Sequence, residues 1–166
     1  MKVALFIPCY IDLIFPKVGI ATIGLLERLG IEVVYPENQA CCGEGMGIEG
    51  DQKNAAKIEK TFCKNFENLD VDYIIGPAGS CVKHVRLHMD AVEQTPAVKE
   101  IRTKTLELVE FLHDVLNVRD FPWAEFNHKI AIHNSCSAIR GLHLMSRVEW
   151  MEPKFNKTQD VLENVK

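Results

Sequence analysis

The chain has 166 residues, a formal net charge of −4, 47% hydrophobic residues and 25% charged ones. That is enough apolar material for a folded core, and the acidic balance, with no basic run interleaved with aromatics, argues against a nucleic-acid surface. No apolar run has the length to span a bilayer, and Pro8 interrupts MKVALFIPCY too early for a secretory leader, so the expected location is the cytoplasm.

Lys2–Ile7 reads as a short buried strand that ends at Pro8-Cys9. Pro16 suits a first helical turn, and Val18, Ile20, Ile23, Leu25, Leu26 and Leu29 predict a helix closed by Gly30. Ile31–Tyr35 is a second strand, stopped by Pro36. The following PENQACCGEGMGIEGD is expected to be a loop. Asp51 is placed to cap a helix that runs to about Leu69. Tyr73–Ile75 is a third strand, GPAGSC its exit loop, and helical pattern resumes after Cys81. Lys99–Leu116 predicts one further helix, with Leu106, Val109, Leu112 and Leu116 on one face. After the connector Phe121-Pro122-Trp123, Lys129–His133 reads as a fourth strand, followed by Asn134-Ser135-Cys136.

Strands alternating with helices give βαβ units, so the expected fold is α/β: a Rossmann-like parallel sheet with helices on both faces. That topology makes the cysteines legible. Of the six, Cys9, Cys41, Cys42, Cys81 and Cys136 each follow a predicted strand, and such loops share the carboxyl edge where these folds bind ligands. Adjacent Cys41 and Cys42 cannot easily bond each other across a stiff peptide link, yet both can face one partner. In a cytosolic chain of this size, converging thiols point to metal binding or redox work. Zinc and an iron–sulfur cluster are not separated by ligand type, although the absence of a close CxxC pair speaks against a zinc ribbon.

Other features read more plainly. Cys63 sits mid-helix beside Phe62 as a core residue. Gly45–Gly50 matches GxGxxG, but no strand directly precedes it, so its glycines are expected to let backbone amides approach sulfur. His84 and His88, at i and i+4, read as a helix surface pair. His133 and Arg140 are candidates to face the carboxyl edge beside Cys136.

The order Cys9, residues 10–40, Cys41-Cys42-Gly43, residues 44–80, Cys81 resembles the CCG cysteine-rich domain. That domain is shared by the cysteine-rich subunit of heterodisulfide reductase, glycolate oxidase iron–sulfur subunits and the lactate-utilization protein A group. The words FIPCYID, YPENQACCG, GPAGSCVKH and HNSCSAIRGL are most similar to the last of these. The resemblance implies an iron–sulfur electron-transfer subunit, its cluster of [4Fe–4S] type, in a complex that oxidises L-lactate to pyruvate. Cys9, Cys41, Cys42 and Cys81 would be the ligands, and other iron–sulfur subunits the partners. It also implies a first repeat over residues 1–120 and the start of a second over 121–166, with Cys136 opening the second. Two departures follow. Ala78 stands where the full motif, ending CxxC, carries a further cysteine. The second cysteine pair is not reached by Lys166, so either the chain is a shortened one or a partner, a second copy in a homodimer included, completes that site. The tail beyond about Leu142 is then expected to be poorly ordered or dimerised. A zinc-holding scaffold and a thiol-redox subunit of the heterodisulfide type are the alternatives.

Overall fold

The computed structural model describes residues 1–165. Four parallel strands form one sheet in the order β2-β1-β3-β4: β1 is Lys2–Leu5, β2 Glu32–Val34, β3 Tyr73–Gly76 and β4 Thr105–Glu107. The register pairs Val3 with Val33 and Tyr73, and Ile75 with Leu106. Because every strand runs the same way, all four exit loops leave from one edge.

Neighbouring residues at the end of β1 show the two layers. Phe6 packs edge-on against Phe62 and Phe66 of α4 (Gln52–Phe66), with ring centroids 4.9 and 6.2 Å apart. Ile7 faces the other way, onto Gly19 of α2 (Pro16–Arg28), where an added Cβ would come within 3.2 Å of the Ile7 side chain. The alternation of a strand thus sends consecutive residues into opposite helical layers. Val3, Ala4, Leu5, Phe6, Ile74 and Ile75 are all buried, as expected of strands covered on both faces.

Three expectations are corrected. The helix predicted over Lys99–Leu116 is broken: α6 (Pro96–Lys104) ends, Thr105–Glu107 joins the sheet as its fourth strand, and a new helical turn starts at Leu108. Thr105 is fully buried and its hydroxyl donates to the Ile101 carbonyl, closing α6. Glu107 then caps the next turn, accepting from the Val109 and Glu110 N–H groups. Secondly, Lys129–His133 is no strand. Its residues are exposed and irregular, because an alternating pattern still needs a neighbouring ladder, and no described strand lies beside it. Thirdly, the tail is packed. Leu144 and Val161 are buried, Val161 of the helix Lys157–Leu162 lying against Leu112 and Phe121.

Candidate metal centre

Cys9 opens α1 (Cys9–Ile14) at the exit of β1. Cys41 and Cys42 lie in the connection after β2, and Cys81 lies in α5 (Gly79–Lys83) after β3. The order β2-β1-β3 makes these three exits adjacent, and the strand order reverses at the β1/β3 crevice.

Gln39 draws the second loop across the first. Its amide nitrogen donates to the Leu5 carbonyl at 2.7 Å, and its amide oxygen accepts the Ile7 N–H at 2.8 Å. A side chain thereby takes the place of a neighbouring strand just beyond β1. Two residues on, Cys41 Sγ lies 3.6 Å from Cys9 Sγ. Gly43 then turns the chain with φ of +93°, in the left-handed region, and an added Cβ would sit 3.1 Å from the Glu59 side chain. The turn launches α3 (Glu44–Ile48), a short helix inside the segment expected to be a loop.

Beneath that turn, His84 and Glu59 are both buried, with 3.1 Å between His84 Nε2 and Glu59 Oε1. The second Glu59 oxygen accepts the Val92 N–H at 2.9 Å. His84 also backs α3, since a Cβ on Gly47 would meet its ring at 3.1 Å. The surface pair expected of His84 and His88 is therefore corrected. His88 is exposed, whereas His84 points into the fold, on a helix that continues from α5 as a π turn over His84–His88. A cleft of about 320 Å³ opens beside them, lined among others by Glu44, Lys83, His84 and His88.

The thiols form a chain of contacts from Cys9 to Cys41, Cys42 and Cys81. Cys42 is buried, and its single S–H, shared foremost with Cys41 and lying beside Cys81, stays on sulfur, with burial also disfavouring the thiolate. Its hydrogen bond and the Gly43 amide pull Cys41 down to about 5, against the opposing effect of burial. Cys81 is likewise lowered, by Cys42 first and by the Ser80 hydroxyl, while burial opposes. Cys9 is raised, mainly by burial. Sulfur and oxygen ligand atoms of Cys42, Glu44 and Cys81 all lie within 4.8 Å of one another, a group able to hold a metal ion. Soft thiolates suit zinc or iron–sulfur chemistry, so the donor set fits the expected kind of cofactor.

The remaining positions are less involved. Cys136 is exposed, at the start of a π-turn segment that packs on α5 through Ser135 and Ala138, close to Gly79. Because Lys129–His133 is not a strand, Cys136 does not follow a strand of the sheet. His133 and Arg140 are exposed, Arg140 pairing with Glu149. Cys63 is buried against Met89. Gln39, Glu44 and the His84–Glu59 pair were not singled out by sequence reasoning as parts of this site. A polar residue two positions before the cysteine pair was the only local sign of Gln39.

Residues 3–86, half of the chain, match the family described as CCG, cysteine-rich domain. The chain belongs to the CCG cysteine-rich domain family. The CCG domain here is also similar to Lactate utilization protein A of Exiguobacterium sp. (strain ATCC BAA-1283 / AT1b), at 42% identity over 84% of this chain and 58% of that protein. The proteins of the same name from Geobacillus kaustophilus (strain HTA426) and Bacillus subtilis (strain 168) are 40% and 38% identical, each over 84% of this chain and 59% of their own length. The chain thus spans about three fifths of these relatives. Among the described residues, no helix is long and apolar enough to cross a membrane.

Proposed function

We propose that this CCG domain holds an iron–sulfur cluster, of [4Fe–4S] type, on Cys9, Cys41, Cys42 and Cys81, and serves electron transfer in an L-lactate-oxidising complex. The observation that carries the reading is the run of thiol contacts gathered from three separate strand exits, with Cys9 and Cys41 sulfurs 3.6 Å apart. The name of the relatives, Lactate utilization protein A, supports the substrate. When bound, such a cluster supplies one-electron redox chemistry tuned by charge, hydrogen bonding and burial.

The chain's own residues divide the roles. The four cysteines supply thiolates. The Gly43 amide donates to Cys41 and the Glu44 amide to Cys42, and Ser80 Oγ lies 3.9 Å from Cys81 Sγ. Such donors stabilise charge on sulfur. Gln39 and the His84–Glu59 pair hold the loop that bears the cysteine pair. Exposed Leu13, Ile14 and Phe15 follow Cys9 closely and offer an apolar approach for other iron–sulfur subunits or a second copy. Six free cysteines support a cytoplasmic setting. Residues 121–166 are proposed as the start of a second repeat.

Anaerobic purification and reconstitution with iron and sulfide test this reading by metal, sulfide and paramagnetic resonance assays. Bound iron and acid-labile sulfide, lost together in Cys42→Ser and Cys81→Ser, are the expected result. Zinc alone would establish the scaffold alternative, and a folded protein that takes up neither would overturn the metal reading. The lowered pKa of Cys41, which leaves it a thiolate near neutral pH, favours the thiol-redox alternative in metal-free protein; turnover of a heterodisulfide by that form, with a dithiol supplied as reductant, would establish it.

A further inference from the structure

One acidic side chain sits among the thiols without a basic partner. Glu44 Oε2 lies 4.0 Å from Cys81 Sγ, and its carboxylate falls within 4.8 Å of the Cys42 and Cys81 sulfurs. The side chain is half-buried and the two cysteines are buried. Among the described residues no ion pair includes Glu44, although Lys83 and His88 line the same cleft. Two sulfurs and one carboxylate oxygen gathered this closely from separate elements are near enough to share one cation, the Cys81 thiol being the carboxylate's only side-chain neighbour by hydrogen bond among the described residues. A carboxylate at a helix start is ordinary, but that role leaves it free to face solvent. Here the left-handed turn at Gly43, pinned on Glu59, brings it toward sulfur instead.

We propose that Glu44 is itself a metal ligand, giving the centre a mixed corner of two sulfurs and one carboxylate oxygen. The proposal rests on the metal-centre reading but does not depend on the metal being iron. It assigns a distinct property to that corner: oxygen is a harder donor than thiolate, so a metal held there exchanges more readily than one held by sulfur alone.

The test uses the full chain, metal-free and anaerobic, as wild type, Glu44→Gln and Glu44→Cys, with Glu49→Gln just past the same short helix as control. Each is titrated with Co(II) and read by its visible and charge-transfer bands. Each is then reconstituted with ⁵⁷Fe and sulfide and read by Mössbauer spectroscopy. Glu44→Gln is expected to bind Co(II) at least about tenfold more weakly, the lower end of what loss of even an outer partner costs. Glu44→Cys is expected to gain one thiolate's worth of charge-transfer intensity, and wild type to show an iron site of oxygen-ligated character that both variants lack. Unchanged affinity and spectra in Glu44→Gln overturn the proposal while an iron-loaded wild type keeps the cluster reading. A Glu44-dependent Co(II) site in protein that takes up no iron does the reverse. Should Glu44→Gln fail to fold, the Glu44→Cys spectra decide: no added thiolate band overturns the assignment.

Discussion

Gln39 substitutes for a missing strand with one amide. Both its bonds go to backbone groups that β1 leaves open, so Gln39→Ala strands the Leu5 carbonyl and the Ile7 N–H together. The expected loss is about 2 kcal/mol by urea denaturation, with weaker metal retention because Cys41 is two residues away. Gly43→Ala combines a positive φ with a 3.1 Å approach to Glu59 and is expected to cost on the order of 2 kcal/mol. Cys41 carries a pH signature of its own. It ionises at about 5, so in metal-free protein its alkylation is expected to be nearly flat from pH 6 to 8 and to fall as pH drops through 5. Cys63, which burial pushes up to about 11, should stay inert throughout. Mass spectrometry of iodoacetamide-treated protein reads both; a rate for Cys41 that climbs steeply above pH 7 would contradict the assignment.

At the scale of elements, the stretch from Lys99 to Leu116 shows how a pattern misleads. Its leucines and valine repeat with helical spacing, and a helix is the natural reading. What breaks it is polar and local: a buried Thr hydroxyl turned back on α6, then a Glu that caps the next turn. The sequence Glu107-Leu-Val-Glu110 held that capping signal, with Glu110 accepting from the Glu107 N–H in return. Burial pushes the Glu107 carboxyl up to about 7. A carboxyl raised in this way favours the protonated fold, so its contribution is full below the ordinary value of 4.5 and is lost as pH rises through 7. Glu107 is thus expected to withdraw about 3 kcal/mol of stability between those limits, and Glu107→Gln to flatten that fall in denaturation curves at pH 5 and 8.

For the whole molecule, strand and helix alternation was enough to place Cys9, Cys41, Cys42 and Cys81 on one edge, because a parallel sheet leaves its exits nowhere else to go. Cys136 escaped that logic: Lys129–His133 has a strand's composition, but strand formation is decided by neighbours far along the chain. The buried pair His84–Glu59 was hidden for a similar reason, since each residue alone looks like a solvated helix position. Phe62 anchors one layer to β1, and Phe62→Ala is expected to cost about 4 kcal/mol by denaturant midpoint, where a change at exposed Leu13 should stay within about 0.5 kcal/mol.

The contact between Cys9 and Cys41 has a practical corollary for anyone handling the protein in air. Their sulfurs are neighbours already, one exposed and the other largely ionised, so little has to move for dioxygen to take two electrons from the pair, with the Cys9 proton and one from water, leave as hydrogen peroxide and join the sulfurs. The resulting covalent tie would stitch the first strand's exit to the second's and lock away half the donor atoms, until a thiol reductant reopens it.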